Sequence, residues 1–403
     1  MRPRIAIAHD YLTQRGGAER VVLSLSRAFP DAEIHTLFYA PDQTYPEFAE
    51  RRIRTSPLNR IGILRRDPRL ALPLLAPAAS ALRIDADVVV ASSSGWAHAF
   101  PTDGRRLVYC HSPARWLYLP DDYLRDASRW SPRRFALAGL APGLRHWDRA
   151  AAQGAHRYLA NSTVVRERIR QCYRIDADAV FPPFSPSVAE GTTAPIDLPG
   201  GWAGGGDRFH LVVSRLQPYK HVDRVIEAFR GLPQERLLII GRGPEGARLR
   251  ASAPPNVAFA EGVGDDQMRW AYAHAIALVA ASHEDFGLTP LEAGAHGIPT
   301  IALRAGGYLD TVREGVNGIF FSRPDPEAIR EALRESARVG WNRSAIREHA
   351  EAFSESAFID AVHVVVDEVL DGPPRPSGVV DGVPSWWESC RAGSRGSRGG
   401  RRC

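Results

Sequence analysis

Ala280-Ala-Ser-His-Glu-Asp-Phe-Gly-Leu-Thr-Pro-Leu-Glu292 is the stretch of sequence that decides the fold. The apolar run at 277–280 predicts a buried strand, and Gly287 predicts a turn. Thr289 and Pro290 predict the start of a helix, because Thr is a common N-cap and Pro a common first helical residue. A strand followed directly by a helix is typical of parallel sheets with crossover helices, and the helix start is a natural place for a phosphate.

The same alternation of short apolar runs and helix-period segments continues outward in both directions. Two domains are expected, because 403 residues exceed what one hydrophobic core usually serves. The predicted fold class is α/β, with two Rossmann-like, doubly wound parallel sheets facing a cleft. Strands are predicted at 5–8, 87–91, 107–110, 158–160, 210–214, 237–240, 257–259, 277–280 and 300–302, and helices at 18–29, 222–229, 265–274 and 354–370.

Proline and glycine mark the boundary between the halves, in Phe181-Pro-Pro-Phe-Ser-Pro186 and in the glycine-rich run at 200–206. We therefore predict an N-terminal domain at 1–195 and a C-terminal domain at 196–353. A final helix at 354–371 is predicted to cross back to the N-terminal domain. The basic segment 372–403 is rich in Pro, Gly, Ser and Arg and is predicted to be disordered.

Composition favours a globular cytoplasmic protein, with 44% hydrophobic and 24% charged residues. No window of 18 apolar residues occurs, and the first residues enter a short strand rather than a signal-peptide core. The four cysteines are scattered without metal-ligand spacing, so reduced thiols and no structural zinc are expected: Cys110, Cys172, Cys390 and Cys403.

An arginine-rich stretch surrounds the apolar run at 70–82. It contains Arg51, Arg52, Arg54, Arg60, Arg65, Arg66, Arg69 and Arg83. Such a surface fits peripheral contact with an anionic membrane, here the inner face of the plasma membrane. It fits equally well with an ordinary solvated arginine face, and charge alone leaves both interpretations open.

Two carboxylates flank the predicted turn in the second half. Glu292 lies three residues after Thr289, which is also the spacing of a capping box, so it has a purely structural alternative. Glu284 follows a buried strand, where an acidic side chain usually needs a partner. Both could accept hydrogen bonds from the vicinal hydroxyls of a sugar.

Two cations, Arg215 and Lys220, follow the first strand of the second half in Ser214-Arg-Leu-Gln-Pro-Tyr-Lys-His. Exposed surface charge is the ordinary fate of such residues. A departing diphosphate in a site without a metal would, however, need fixed cations. Arg can bind two phosphate oxygens, and Lys supplies a point charge.

Glycines and one histidine mark the ends of other strands. Gly16 and Gly17 open the first helix and allow close approach of a ligand, although a simple turn explains them as well. Gly241-Arg-Gly243-Pro-Glu-Gly246 matches a weak dinucleotide-binding pattern. His111 ends the strand at 107–110, and a lone histidine is more often structural than catalytic.

A basic segment with interleaved aromatic residues runs from Arg129-Trp130 to Arg145-His-Trp147. Nucleic-acid binding would use such residues for phosphate contacts and stacking. The rest of the chain contains no nucleic-acid motif, so we expect no nucleic-acid partner.

Together these residues resemble a known family. Glu284 and Glu292 are followed by Ala-Gly-Ala-His-Gly-Ile-Pro-Thr-Ile and later by Gly306-Gly307. This pattern is similar to that of the retaining glycosyltransferases of family 4 (glycosyl transferases group 1), which have the GT-B fold. The segment from His111 to Tyr118 looks like that of their bacterial mannosyltransferase-like branch, and the resemblance extends from about Arg4 to Leu370.

The resemblance implies that the domain at 1–195 is on the acceptor side and that the domain at 196–353 binds the nucleotide sugar. It also implies a role for each matching position. Arg215 and Lys220 become the cations that bind the diphosphate, Glu284 binds the donor sugar's hydroxyls, and Glu292 binds the nucleotide ribose. The remaining implied contacts are with the sugar and phosphate (Phe286, Gly287, Leu288 and Thr289), the base (Gly241 and Gly243), the donor phosphate (Gly16 and Gly17) and the donor sugar (His111). Asn161-Ser-Thr, Arg166 and Arg170 resemble a further shared segment that shapes the cleft.

The implied reaction is metal-independent hexosyl transfer with retention, without a cofactor other than the nucleotide sugar. GDP-mannose is the predicted donor and a UDP-hexose the alternative. The predicted acceptor is a glycan or a polyprenyl-diphosphate-linked precursor in polysaccharide biosynthesis. Two other classes were weighed: a nicotinamide-dependent dehydrogenase, suggested by the 241–246 loop, and a non-catalytic glycan- or lipid-binding protein of the same fold.

Overall fold

The computed structural model describes residues 3–119, 132–184, 191–198 and 208–372. The predictions for the glycine-rich linker at 200–206, for the tail beyond Gly372 and for Arg129 and Trp130 lie outside these residues. The described chain forms two parallel sheets, as the alternating pattern predicted, and the predicted fold class is confirmed.

The N-terminal sheet has seven parallel strands in the order β3-β2-β1-β4-β5-β6-β7. The direction in which strands are added reverses between β1 and β4, and the carboxyl ends on either side of such a reversal form a ligand-binding crevice. The strands are β1 (Ile5–Leu12), β2 (Glu33–Tyr39), β3 (Ile53–Thr55), β4 (Val88–Ser93), β5 (Arg105–Cys110), β6 (Arg157–Ala160) and β7 (Asp178–Ala179).

Helices cover both faces of this sheet, so its strands are buried on both sides. They are α1 (Gly17–Ala28), α2 (Gly62–Arg66), α3 (Leu72–Ala81), α4 (Arg115–Tyr118), α5 (Pro132–Gln153) and α6 (Thr163–Tyr173). Short 3-10 helices lie at Pro46–Glu50, Pro57–Arg60, Pro68–Ala71 and Ala97–Ala99. One apolar cluster includes Val89 and Trp96, and the cluster on the opposite face includes Ile7 and Leu25.

The C-terminal sheet repeats the plan with six parallel strands in the order β10-β9-β8-β11-β12-β13. They are β8 (Phe209–Val213), β9 (Leu237–Ile240), β10 (Val257–Ala260), β11 (Ala275–Ala280), β12 (Thr300–Leu303) and β13 (Gly318–Phe321). Its helices are α7 (Val222–Arg230), α8 (Gly246–Ser252), α9 (Asp265–His274), α10 (Thr289–Ala295), α11 (Tyr308–Thr311), α12 (Pro326–Arg338) and α13 (Arg343–Glu351), with a 3-10 helix at Pro218–Lys220.

The last described helix, α14 (Glu355–Asp371), packs on the N-terminal domain. Phe358 and Val362 are buried in the same cluster as Ile7, and the Phe358 ring meets Tyr109 edge-on at 5.5 Å. At the start of the helix, Ser24 Oγ donates a hydrogen bond of 2.6 Å to Glu355. The chain therefore returns from its C-terminal domain to the N-terminal one.

Three local features differ from the sequence-based predictions. β1 continues to Leu12, so His9 and Asp10 are buried strand residues rather than loop residues. The buried Asp10 carboxylate has partners there, because it accepts four backbone N–H bonds from residues 94–97. Strands β2, β3, β7 and β13 were not predicted. Residues 191–195, assigned by sequence to the first domain, contact the second through Arg269 and Asp266.

Among the helices of the described residues, none combines the length and the apolar character needed to cross a bilayer.

Candidate functional site

A cavity of about 360 Å³ lies between the carboxyl ends of the two sheets. Its lining includes most of the predicted site residues: Gly17, His111, Arg215, Lys220, Glu284, Phe286, Gly287, Leu288 and Thr289. Four other predicted residues lie outside this lining: Gly16, Gly241, Gly243 and Glu292. The two sides are close together, because a Cβ on Gly17 would lie 3.6 Å from Leu288 Cδ1 of the other domain.

Lys220 and Glu284 form the centre of the C-terminal side. The Lys220 ammonium contacts Glu284 Oε1, and its side chain is only 9% exposed. Ser282 Oγ also donates to Glu284 Oε1 and lies 2.9 Å from the Tyr308 hydroxyl. An ammonium has three N–H donors, so Lys220 can hold Glu284 and still donate to an incoming anion.

Arg215 is exposed at the mouth of the cavity, and its guanidinium lies 3.4 Å from the Tyr219 hydroxyl. The segment 214–216 packs directly on the loop after β9. A Cβ on Gly241 would overlap the Ser214 carbonyl oxygen, and one on Gly243 would overlap the Leu216 backbone. These two glycines therefore have a packing role, which is to let the loop with Arg215 approach closely.

The turn at 286–289 differs in detail from the prediction. Thr289 is the first residue of α10, and Leu288 occupies the N-cap position without a side-chain cap. The helix begins one residue early because Leu288 already has helical dihedral angles and its carbonyl accepts from Leu291 and Glu292. Gly287 permits the preceding bend with a φ of +88°, a conformation that L side chains rarely adopt.

Glu292 does not form the capping box that its spacing allowed. Its carboxylate instead accepts a 2.8 Å hydrogen bond from the Tyr272 hydroxyl on α9. Burial raises the pKa of Glu292, while the bond from Tyr272 opposes that shift. The capping interpretation of Glu292 is therefore wrong, since Tyr272 orients the carboxylate instead.

A second glycine pair, Gly306 and Gly307, packs against the turn that contains Glu284. Gly307 N–H donates to the Glu284 carbonyl at 2.8 Å, and a Cβ on Gly307 would overlap the Phe286 backbone. Gly306 makes an equally close approach to Glu284. The short loop before α11 therefore fixes the backbone of the turn with Glu284.

His111 provides the N-terminal side of the cavity, directly after β5. Its Nε2 lies 2.8 Å from Ser92 Oγ, and His9 Nδ1 lies 2.9 Å from the Ser92 carbonyl. Burial, with a smaller contribution from His9, lowers the pKa of His111 to about 3. His111 therefore presents a neutral imidazole to the cavity near neutral pH.

Charged contacts join the two domains at the edge of the cavity. Asp285 forms ion pairs with Arg115 and Arg168 of the N-terminal domain, the latter at 3.0 Å. Burial alone would raise the pKa of Asp285, but the two guanidinium groups together lower it. Asp310 accepts from Thr163 N and Oγ1 at 2.8 and 2.7 Å.

Sequence reasoning missed Arg168, Asp285 and Asp310 as a group. The sequence pattern pointed to Arg166 and Arg170 instead, and both are exposed on the same helix as Arg168. Arg168 and Asp285 are 117 residues apart, and no spacing rule relates them. The one available signal was Asp285 itself, a charged residue within a turn of aromatic and glycine residues.

Metal ligands and thiols complete the description of the site. Within residues 3–119, 132–184, 191–198 and 208–372, no group of three or more His, Cys, Asp or Glu side chains is placed to hold a metal ion. Cys110 is a buried free thiol and Cys172 a partly buried one.

Two facing Rossmann-like domains, each with the carboxyl ends of its strands towards a shared cavity, define the GT-B class of proteins. Solved structures agree. The Anabaena protein HepE in complex with UDP has a TM-score of 0.64 and 16% identity, covering 91% of this chain and all of that one. Sucrose-phosphate synthase from Thermosynechococcus elongatus has a TM-score of 0.63 and 17% identity, covering 90% and 99%.

The chain belongs to the glycosyltransferases of family 4. The family described as Glycosyltransferase Family 4 matches residues 15–182, and Glycosyl transferases group 1 matches residues 203–354. The resemblance seen in the sequence is thereby confirmed.

Curated relatives match over part of their length. A D-inositol 3-phosphate glycosyltransferase of Mycobacterium marinum is 36% identical over 37% of this chain and 36% of its own. A GDP-mannose-dependent alpha-mannosyltransferase of Corynebacterium glutamicum is 29% identical over 50% of this chain and 49% of its own. The alignments with these two relatives therefore span about a third to a half of each relative.

Proposed function

We propose that this protein transfers a hexose from a nucleotide sugar to an acceptor hydroxyl, with retention at the anomeric carbon. The observation that supports this best is the direct contact of Lys220 with Glu284 inside the interdomain cavity. Lys220 is also the only lysine in the sequence; all the other basic residues of this type are arginines. A compact ammonium at this one place favours a specific role over general surface charge.

Each site residue has a chemical task in the proposed reaction. Lys220 and Arg215 stabilise the negative charge that develops on the departing nucleoside diphosphate. Glu284 accepts hydrogen bonds from the sugar hydroxyls, and Glu292, oriented by Tyr272, accepts those of the ribose. The acceptor attacks from the face that the diphosphate leaves, and the diphosphate oxygen takes the acceptor proton. The two fixed cations let us propose that transfer needs no metal ion.

GDP-mannose is the proposed donor, and a UDP-hexose is the alternative. The mannose proposal draws on the C. glutamicum relative, whose name states GDP-mannose dependence. It also draws on the segment from His111 to Tyr118. The HepE structures, whose titles name UDP and UDP-glucose, have the same fold at low identity and make a UDP donor worth testing.

The acceptor is the next part of the proposal. We propose a lipid-linked or polysaccharide-precursor glycan. The D-inositol 3-phosphate glycosyltransferases among the relatives add a phosphorylated cyclitol to the acceptors that merit a test. A lipid-diphosphate-linked glycan and a phosphorylated cyclitol would both bring phosphate to a cleft edge that contains Arg115.

Donor identity is tested by thermal shift with GDP-mannose, UDP-glucose, UDP-N-acetylglucosamine and NADH at equal concentrations. GDP-mannose is expected to raise the melting temperature most, and Lys220→Ala should remove that rise. The same panel with excess EDTA should give the same shifts if no metal is needed. Stabilisation by NADH alone would refute the transferase proposal in favour of a dehydrogenase.

A membrane-facing surface is a second part of the proposal. We define the basic apolar surface as residues 57–74. Exposed Ile61, Ile63, Leu70 and Leu74 are four of the seven exposed large hydrophobic side chains among the described residues. Arg60, Arg65 and Arg66 lie in the same segment, and Ile63 is 65% exposed. Apolar side chains beside cations suit the interface of an anionic bilayer.

Vesicle co-sedimentation tests this surface. Binding is expected to vesicles with anionic phosphatidylglycerol, to be absent with pure phosphatidylcholine, and to weaken in high salt. Arg65→Glu together with Ile63→Asp should abolish it. Arg323→Glu, a change at an 80% exposed side chain of the other domain, is the matched control. Equal sedimentation of the double variant and the control would refute the assignment.

A further inference from the structure

Helix α6 contacts both loops that build the donor side of the cavity, although it belongs to the other domain. At its first residue, Thr163 donates from N and Oγ1 to Asp310, which lies in α11 just after the Gly306-Gly307 loop. Five residues later, Arg168 pairs with Asp285, the neighbour of Glu284. One N-terminal helix thus contacts two separate segments of the C-terminal domain.

The same helix also contacts the loop with His111. Arg168 donates through a second guanidinium nitrogen to Ser112 Oγ at 2.8 Å. Ser112 is buried and directly follows His111, so one guanidinium connects the two sides of the cavity. Arg115, in α4, provides the second cation on Asp285.

These contacts are partly shielded from water, which determines how much they contribute to holding the two domains together. The Asp285 and Arg168 side chains are only 15% and 16% exposed. Exposed ion pairs contribute little, whereas removing one partner of a shielded, hydrogen-bonded pair leaves an uncompensated charge. Asp310 is itself linked to the donor side, since its N–H donates to the Gly307 carbonyl and Gly307 N–H donates to the Glu284 carbonyl.

We propose that α6 is an interdomain clasp, in which Asp285 and Asp310 act through Arg168 and Thr163 as positioning residues. The clasp holds the turn with Glu284 in register with the loop with His111, so that donor and acceptor meet in a reactive geometry. The catalytic part of this inference rests on the proposed glycosyl transfer. Most of the proposed donor contacts come from the C-terminal domain, so the clasp acts on the rate of transfer more than on donor affinity.

Kinetics of Asp285→Asn and Arg168→Ala test the clasp. Each should lower kcat by up to about 100-fold, which is the cost of a misplacement of about 1 Å, while donor affinity changes by less than about threefold. The loss in the double variant should be smaller than the product of the two single losses, because both changes remove the same Arg168–Asp285 contact. The proposal would be overturned if the kcat losses of the two single variants multiplied in the double variant, or if donor affinity fell in parallel with kcat.

Glu314→Gln is the matched control. It breaks the Arg304–Glu314 pair, which is exposed and lies within the C-terminal domain, and it should leave kcat unchanged. If Asp285→Asn folds poorly, the same double-mutant test can be made with Thr163→Val and Asp310→Asn, which remove the other interdomain contact of α6.

Small-angle scattering separates the clasp from the chemistry. Without substrate, Asp285→Asn and Asp310→Asn should increase the radius of gyration of the full chain, whereas Glu314→Gln should not. Unchanged scattering in both variants would refute the clasp even in an active enzyme. If the wild-type chain transferred no sugar, the proposed function would fall, while scattering would still decide whether α6 holds the domains together.

Discussion

At the scale of single residues, Lys220 and Glu284 are the pair on which the proposed chemistry depends. Lys220→Ala should lower kcat/KM by about 100-fold or more, because a cation opposite a leaving diphosphate is lost. Lys220→Arg should also be strongly impaired, because the larger planar guanidinium does not fit a side-chain position that is only 9% exposed. Glu284→Ala should abolish transfer with an unchanged circular dichroism spectrum.

Arg224→Ala is the control for these variants, since Arg224 is a half-exposed cation on α7 that pairs with its neighbour Asp223. It should retain full activity. Full activity of Lys220→Ala or Glu284→Ala in a donor-consumption assay would refute the roles given to them.

His111 predicts a pH effect at the same scale. Its pKa falls from an ordinary value of about 6.5 to about 3 in the folded chain, so the unfolded state binds a proton that the folded state excludes. Stability is therefore lost as pH falls below about 6.5, by up to about 1.4 kcal/mol per pH unit, and the loss continues to about pH 3. His111→Asn should flatten this acid dependence in urea titrations between pH 6.5 and 4.

The slope, rather than the absolute stability, is the measured quantity, so a general loss of stability in the variant does not obscure the result. His146→Asn, at an exposed position of α5, should leave the slope unchanged. An identical slope for His111→Asn and the wild type would contradict the neutral state of His111.

At the scale of elements, glycines decide how closely the loops of the donor side approach one another. Gly307→Ala places a Cβ on the Phe286 backbone and should cost about 1–3 kcal/mol of stability, because the overlap is with main-chain atoms that cannot rotate away. Donor binding should weaken at the same time, because Gly307 N–H supports Glu284. Thermal melts and donor titrations measure both effects.

Gly340→Ala is the matched control, since a Cβ there meets nothing within 4 Å. If Gly307→Ala is as stable as Gly340→Ala, the close packing of the 306–307 loop on the turn at Phe286 is not needed for stability, and this account is contradicted.

At the scale of the whole molecule, α14 joins the end of the second domain to the core of the first. Phe358→Ala should cost about 3–5 kcal/mol, because Phe358 is only 3% exposed and packs against Tyr109 of β5. Calorimetry should show the loss in the transition of the N-terminal domain. Val364→Ala, at a 52% exposed position of the same helix, should change little. A loss confined to the C-terminal domain's transition would contradict this account of α14.

Much of the fold could be predicted from sequence, because its determinants are local. Apolar runs such as 237–240 are strands in the structure, and α9 spans the predicted residues 265–274. Strand β2 escaped prediction because it begins with Glu33 and includes His35 and Thr36, polar residues that are buried with partners. Its identity as a strand depends on neighbours that local pattern does not reveal.

The sequence by itself determined the α/β class and the group of residues that includes Arg215, Lys220 and Glu284, because strand ends in parallel sheets meet at one edge. The family followed from the resemblance of the motif around Glu284 and Glu292. Only the tertiary structure decided three further points. Glu292 binds Tyr272 rather than capping its helix, Gly241 and Gly243 serve loop packing, and α6 contacts both domains through Arg168. Each of these depends on atoms brought together from distant parts of the chain, and such proximity is a property of packing that residue spacing does not encode.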